Sequence, residues 1–385
     1  MYALYILSHI LIAASIPLFM AALLPISTLS TLVIDKNWQH LSTGVKHPVF
    51  LTMLAISTAL IISSVFSIAP LHSLEAALKT AILLICFGYL WGSKLNTPNK
   101  LTEKQTTALL LTFASTAIAI ACLNILIHLD HLAWLDSTLN RQLVLLALFF
   151  WPLSLYFNIS KQRNLLWGMV ILFTLFLFAG FSETATLMFL IGLFTYCFFK
   201  FLPGSNRTRT TLFALGLIAI TFAPLLIAII NPPILNEWLA NLPLSKQHHY
   251  NIWVECTKLI WSVLPTGIGI DTTELLDLET SFAGHILPLH HPHNLAIELL
   301  LELGILGGIL LIFGLVVTTR LFYTTPKTHQ PTLAATLVTI CLLYSVAFSF
   351  WQEWRTAAIA GALIIFHRFI TESQQPENPK EHSPI

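Results

Sequence analysis

The run HPHNLAIELLLELGILGG at 291–308 sets His291, His293, Asn294, Glu298 and Glu302 among Leu, Ile, Ala and Gly. Each polar type has a chemical use. A neutral imidazole accepts a proton near pH 7, which makes His293 the candidate general base. Pro292 suits the first turn of a helix, where its missing N–H is no loss, so His293 and Asn294 are expected in that turn. The free N–H groups and partial positive charge of a helix start attract phosphates and lower the pKa of a nearby histidine. Asn294, Glu298 and Glu302 recur every four residues and form one polar stripe. Carboxylates at membrane depth are costly and face a protein interior or a wet cavity. They could also pin helices together, and for Glu302 the pin is the preferred reading. Gly304, Gly307 and Gly308 allow a neighbouring helix to come close. His285, His290, His291 and His293 could bind a metal, but no carboxylate or cysteine has matching spacing, and Asp277-Leu278-Glu279 is a weak D-x-E pattern. No metal or cofactor is assigned. His293 could also simply cap or bridge at the interface.

These residues need a scaffold, and the composition names its solvent. Of 385 residues 56% are hydrophobic and 10% charged, against about 25% charged in soluble domains. The chain reads as an all-α, polytopic integral membrane protein. A net charge of +1 gives no reason to expect nucleic acid as a partner. The start, MYALYILSHILIAAS, lacks a basic n-region and a cleavage site, and reads as a retained helix. Cys86, Cys122, Cys197 and Cys341 fall in apolar spans and Cys256 in a polar loop, so no disulfide framework is implied.

A crossing needs roughly 20 apolar residues. Spans are expected near 48–69, 76–93, 107–128, 143–158, 165–181, 185–202, 211–231, 295–322, 332–350 and 354–370. The stretch 3–34 would be about 48 Å long as one helix. Interrupted by Pro17 and Pro25, it reads as two short spans, giving about twelve, with eleven as the alternative. Alternate loops carry Lys36, Lys46, Lys94, Lys100, Lys104, Lys161, Arg163, Lys200, Arg207, Arg209, Arg320, Lys327, Arg368 and Lys380. That side is assigned to the cytoplasm, with both termini. Lys79, Arg141, Lys246, Lys258 and Arg355 fall on the outer side. The expected organisation is membrane helices over 1–231, one long outer loop over 232–292, further membrane helices over 293–370 and a disordered polar tail over 371–385. A loop that long is usually functional. Its stretch NIWVECTKLIWSVL at 251–264 reads as an interfacial helix. Trp238, Trp253 and Trp261 are read first as interface anchors and second as platforms for sugars.

His293-Asn294, nine residues and Gly304 resemble the signature that ends the large periplasmic loop in the O-antigen ligase family. That family includes lipid A-core O-antigen ligases, O-antigen polymerases and protein O-oligosaccharyltransferases. Glu298, Glu302 and Gly304 continue the pattern. Upstream, Trp253, Pro265, Gly267 and Gly269 resemble the family's "R-x3-W … P-x-x-G-x-G" segment. Two arginines depart from it. His249 stands four residues before Trp253, and Glu183 follows Ser182 where the family has Arg.

The resemblance implies a GT-C-like membrane glycosyltransferase in the bacterial inner membrane, with its site facing the periplasm. The donor would be a glycan on undecaprenyl diphosphate, and the acceptor a hydroxyl of lipid A-core, another glycan or a protein. Ligation of O-antigen is preferred, with polymerase or protein O-oligosaccharyltransferase as alternatives. Transfer would be inverting and metal-independent. His293 would deprotonate the acceptor and Asn294 orient His293 or a sugar hydroxyl. Arg141, Lys246, His249 or Arg355 would hold the diphosphate, with His291, Glu298 and Trp253 in support. A transporter is the reading from another class. It would place ionisable groups near the bilayer midplane rather than at the outer face.

Overall fold

The computed structural model of the chain describes residues 24–26, 28–29, 38–93, 133–159, 164, 167–168, 170–171, 173–174, 182–231, 241, 244–276, 279–282, 285–288, 291–346 and 349–373. Among these, the structure describes the backbone alone at 38–41, 133–139, 142, 158, 244–246, 279–282, 285–288, 346, 372 and 373. The expected spans at 3–34 and 107–128 and the tail beyond 373 lie outside the described residues almost entirely. So do Trp238, Asp277, His290 and the side chains of Lys246 and His285.

Apart from one short hairpin the described elements are helical. In chain order they are α1 (Trp38–Lys46), α2 (Pro48–Ser63), α3 (Pro70–Gly92), α4 (Ala133–Ile159), α5 (Glu183–Phe201), α6 (Asn206–Ile230) and α7 (Leu244–Val263). The antiparallel strands β1 (Glu279–Phe282) and β2 (His285–Pro288) follow, with Glu279 opposite Pro288. Then come α8 (Leu295–Leu303), α9 (Ile305–Thr324), α10 (Gln330–Val346) and α11 (Glu353–Ser373). Five stretches are long and apolar enough to cross a membrane: Pro48–Phe66, Pro70–Gly92, Glu183–Phe201, Asn206–Ile230 and Ile305–Thr324. Their apolar side chains turn outward as well as inward. Phe194 is 71% exposed, Ile230 68% and Ile312 62%. In water such faces would be a liability; against lipid they are the expected surface. The chain is a multi-pass membrane protein.

Two apolar cores organise the helices. One joins α4, α5, α10 and α11, with the Phe150 ring in contact with those of Trp151, Phe173 and Phe189. Gly192 on α5 gives the Trp151 indole its room. The other joins α2, α3, α7, α8 and α9 through Ile252, Cys256, Ile297 and Leu301. Cys256 therefore lies buried in a helix rather than in a polar loop. The reason is that α7 extends back to Leu244 and lays one face on α8. At the opposite end of the bundle, Arg209 donates to Gln330 Oε1 and to the Leu202 carbonyl, both at 2.7 Å. Gln330 in turn donates to the carbonyls of Phe322 and Thr325, both at 3.2 Å. This knot ties the ends of α5, α6, α9 and α10 where Lys200, Arg207, Arg320 and Lys327 gather.

The expected single span 295–322 is broken. Gly304 adopts φ 58° and ψ −130°, which ends α8 and starts α9 in a new direction. The break leaves carbonyls at the end of α8 without helical partners. The loop after α7 fills the need: Ile268 N–H donates to the Leu301 carbonyl at 3.0 Å and Gly269 N–H to that of Glu302 at 2.9 Å. The loop's other edge meets the α2–α3 connection. Ile68 N–H and the Ser67 hydroxyl donate to the Ile268 carbonyl at 2.8 and 3.1 Å, and Ile270 N–H donates to the Ser73 hydroxyl at 2.8 Å. The glycines of both motifs serve this clasp. Gly267 (φ 74°) and Gly269 (φ 112°) have left-handed backbones, and a Cβ on Gly267 would strike the Glu302 carbonyl. One on Gly304 would strike the Leu264 carbonyl, and one on Gly307 the Leu299 carbonyl. These glycines admit backbone at a helix break, not only a neighbouring helix.

Gly267→Ala and Gly304→Ala should therefore each lower the thermal midpoint of the detergent-solubilised protein by several degrees, on the order of 1–3 kcal/mol. Gly314→Ala on α9, where a Cβ meets nothing within 4 Å, should leave it unchanged or slightly higher. Paired melts of the three variants measure this.

Candidate active site

Asn294 is the N-cap of α8, not a residue of its first turn. Its Oδ1 accepts from Ala296 N–H and Ile297 N–H, both at 3.1 Å. A side-chain cap of this kind contributes about 1 kcal/mol. With the cap at 294 the helix starts at Leu295, so Pro292 and His293 precede it, and His293 takes φ 51°. That left-handed backbone turns the chain sharply just before the helix. Asn294 is fully buried, and its Nδ2 has no hydrogen-bond partner among the described residues.

The turn brings three imidazoles together. The His293 ring lies 4.5 Å from that of His249 and 4.0 Å from that of His291, centroid to centroid. His249 comes from α7, so the histidine four residues before Trp253 faces the histidine of the 293–304 motif. Trp253 sits one turn further along α7, half-buried, with its indole N–H lacking a partner among the described residues. Burial holds the neighbouring His248 below the ordinary histidine range. Among the described residues no group of three or more His, Cys, Asp or Glu is arranged to hold a metal ion. The rings are tilted against one another, at 37° for His249 and His293 and at 52° for His291 and His293.

Glu298 and Glu302 lie one and two turns below the cap, each 1% exposed. Both are fully engaged. Glu298 accepts from the Ser349 hydroxyl at 2.6 Å and from Phe350 N–H at 2.9 Å. Glu302 accepts from Asp271 N–H at 2.7 Å, from the Thr273 hydroxyl at 2.5 Å and from the Trp351 indole N–H. Bringing a carboxylate out of water costs several kcal/mol, and charge-assisted bonds return about 1.5–3 kcal/mol each. With the Thr273 N–H at 3.3 Å as a fourth donor, these bonds are enough to hold Glu302. Through these bonds α8 organises the 271–273 loop and the α10–α11 connection at 349–351.

That connection leads into Arg355, which is fully buried in the first turn of α11. Its Nη2 donates to Gln352 Oε1 at 2.6 Å, and its guanidinium lies 5.1 Å from the Trp354 ring. Glu298 and Arg141 are both within its electrostatic reach. Arg141, on α4, is half-buried, with Nε unpartnered among the described residues. The adjacent Asn140 accepts from the hydroxyl of Ser182, which also caps α5. The site thus brings together His249, His291 and His293 as one group, while Arg141 and Glu298 lie within electrostatic reach of Arg355. The side chain of Lys246 lies outside the described residues.

Sequence reasoning missed Asp271, Thr273, Ser349 and Trp351. None carries a spacing signal, because each meets α8 only after the chain folds back. Asp271 also sits beside His72 of α3, whose Nε2 is 2.9 Å from its carbonyl oxygen, with Glu274 close by. Burial, reinforced by Glu274, pushes the Asp271 carboxyl up to about 6. Its side chain keeps 42% of its surface open, so water screens part of this effect.

Glu302→Ala leaves several buried donors without an acceptor and should cost about 3 kcal/mol or more. Glu255→Ala removes only an exposed pair with Lys258 and should change stability by less than about 0.5 kcal/mol; denaturation of both variants distinguishes the two. The Asp271 carboxyl is easier to protonate folded than unfolded. Its stabilising contribution is therefore full below about pH 4 and is lost as pH rises through 6. Between those values the melting temperature of wild type should fall relative to that of Asp271→Asn.

No family model and no solved structure matches the chain. Two curated proteins are similar to it. A protein of Rickettsia felis named "Putative polysaccharide ligase" is 29% identical over 273 residues, which cover 65% of this chain and 62% of that protein. A protein of the same description from Rickettsia conorii is 26% identical over 327 residues, covering 79% of this chain and 75% of its own. The chain thus spans less than two thirds of the length of the first of these relatives. By its His293–Gly304 motif, its 249–269 segment and these relatives, the chain is similar to polysaccharide ligases, in accord with its resemblance to the O-antigen ligase family.

Proposed function

We propose that this protein is a glycosyltransferase of the bacterial inner membrane. It moves a glycan from undecaprenyl diphosphate to an acceptor hydroxyl at the periplasmic face, and the preferred reaction is ligation of O-antigen to lipid A-core. The observation that carries this reading is His293, set at the mouth of α8 with His249 and His291 against its ring. The names of the two relatives support a polysaccharide as the transferred group.

The chemistry needs few parts. The acceptor oxygen attacks the anomeric carbon as the carbon–oxygen bond to the diphosphate breaks. Attack from the face opposite the leaving group inverts the anomeric centre. The acceptor's proton passes to His293, which must be neutral to take it. The leaving diphosphate departs as an anion and needs charge stabilisation rather than a proton. Arg141, Arg355, His249 and Lys246 supply it, with Asn294 Nδ2 as a further donor. Trp253 offers a face and an N–H to a sugar. Glu298 and Glu302 act at one remove, holding α8 and the Arg355 segment in register. No metal or cofactor enters.

In this reading the chain has about twelve spans. Helices over 1–231 and 293–370 flank the periplasmic segment 232–292, and the polar tail 371–385 is cytoplasmic, as are both termini. The basic knot around Arg209 then marks the cytoplasmic end.

The test is lipopolysaccharide from a deletion strain, resolved on a gel and complemented with wild type or His293→Ala. The expected result is bare core and no ladder without the gene, with long glycan accumulating on the lipid carrier. Wild type restores the ladder, and His293→Ala leaves it at least a hundredfold weaker, in line with loss of a general base. Core plus one repeat unit assigns a polymerase instead. An unchanged ladder with loss of glycoproteins assigns a protein acceptor. A ladder fully restored by His293→Ala removes His293 from the chemistry.

A further inference from the structure

The imidazole cluster raises a question of charge. His249, His291 and His293 lie ring against ring, so they cannot all be protonated without strong repulsion. A base must be neutral, whereas a diphosphate partner must be charged. When titratable groups crowd together, protonation of one drives its neighbours toward the neutral form, and the two roles separate.

We propose that the cluster binds the donor diphosphate with a single proton carried on His249, so that donor binding is proton-linked while His293 stays neutral. This rests on the transferase reading above. His249 is the member of the cluster that comes from α7, a different element from the 291–294 turn. The groups around it are His291 and His293 from that turn, and His248 and Tyr250 on its own helix. Helix α6, packed beside α7, carries Arg207 and Arg209 at its far end, and helix α8, also packed beside α7, carries Glu298 and Glu302 one and two turns below its cap. The side chains of Lys246 and Glu279 lie outside the described residues. Burial keeps His248 below the ordinary histidine range, so it is a poor competitor for the proton. A second feature of the site favours an anion. Asn294 Nδ2 is a fully buried donor without a partner among the described residues, one residue from His293. Such a donor calls for an acceptor.

The sign follows from linkage. An anion at the cluster favours the charged imidazole and raises its pKa in the complex. Affinity is therefore full below the free pKa, near 6.5 for an ordinary histidine, and falls as pH rises through that of the complex. An arginine at 249 would stay charged throughout.

The experiment uses the full chain in detergent micelles and undecaprenyl diphosphate as the probe, with Kd read from tryptophan fluorescence at pH 5.5, 6.5 and 7.5. Wild type should weaken at least tenfold across the series. His249→Arg should change less than threefold. His249→Gln should melt as wild type does and bind weakly at every pH. The probe's own phosphate titration acts equally on every variant, so the comparison with His249→Arg removes it. A flat wild-type profile, or an equal slope in His249→Arg, overturns the proton linkage and leaves the transferase reading standing. Wild-type binding retained in His249→Gln removes His249 from the site. Absence of binding by folded wild type at every pH overturns this inference and the transferase reading together.

Discussion

Backbone carbonyls stranded at a helix break inside an apolar protein need donors, and this requirement organises the site. The break at Gly304 exposes the carbonyls of Leu301 and Glu302. In a membrane setting each unsatisfied group would cost several kcal/mol. The Gly267–Ile270 loop answers with its own N–H groups and passes its remaining carbonyl to the α2–α3 connection. Helix α7 enters this clasp and α8 ends in it. Closing the clasp therefore sets α7 and α8 side by side, with His249 on one facing His293 at the mouth of the other.

The carboxylates of α8 extend the same logic to side chains. Isolated apolar residues at 298 and 302 would pack without desolvation cost. Their carboxylates instead collect N–H and O–H groups from two irregular segments, 271–273 and 349–351. Irregular backbone at depth is tolerable only where it is satisfied by protein. The glutamates make such backbone possible beside the candidate base, and the second segment delivers Arg355. The charge of α8 is thus spent on placing other groups, which is why both glutamates are buried and neither faces solvent.

Two kinds of cation result. Arg141 and Arg355 supply guanidinium groups, and His249, His291 and His293 supply imidazoles that crowd one another. Keeping the two kinds in separate groups gives the site a cationic background and a separate group that can exchange a proton. A transferase that releases a lipid diphosphate while deprotonating a hydroxyl has use for both.

The membrane class and most helix positions were legible in the sequence, because apolar run length reports directly on a spanning helix. The His293–Gly304 motif and the 249–269 segment were legible as patterns too. The break within 295–322 was not, since Leu, Ile and Gly fill both sides of it and only the conformation of Gly304 ends the helix. Asn294 as cap rather than first-turn residue was ambiguous, because Pro292 offered an equally good start one turn earlier. What the sequence by itself determined was the kind of solvent, the places where helices could run and the polar residues among them. Tertiary structure alone decided that His249 meets His293, that Glu302 serves Asp271, Thr273 and Trp351, and that Arg141 approaches Arg355. Those pairings join residues from separate elements, in one case more than two hundred positions apart, and the packing of the helices, not local propensity, selects them.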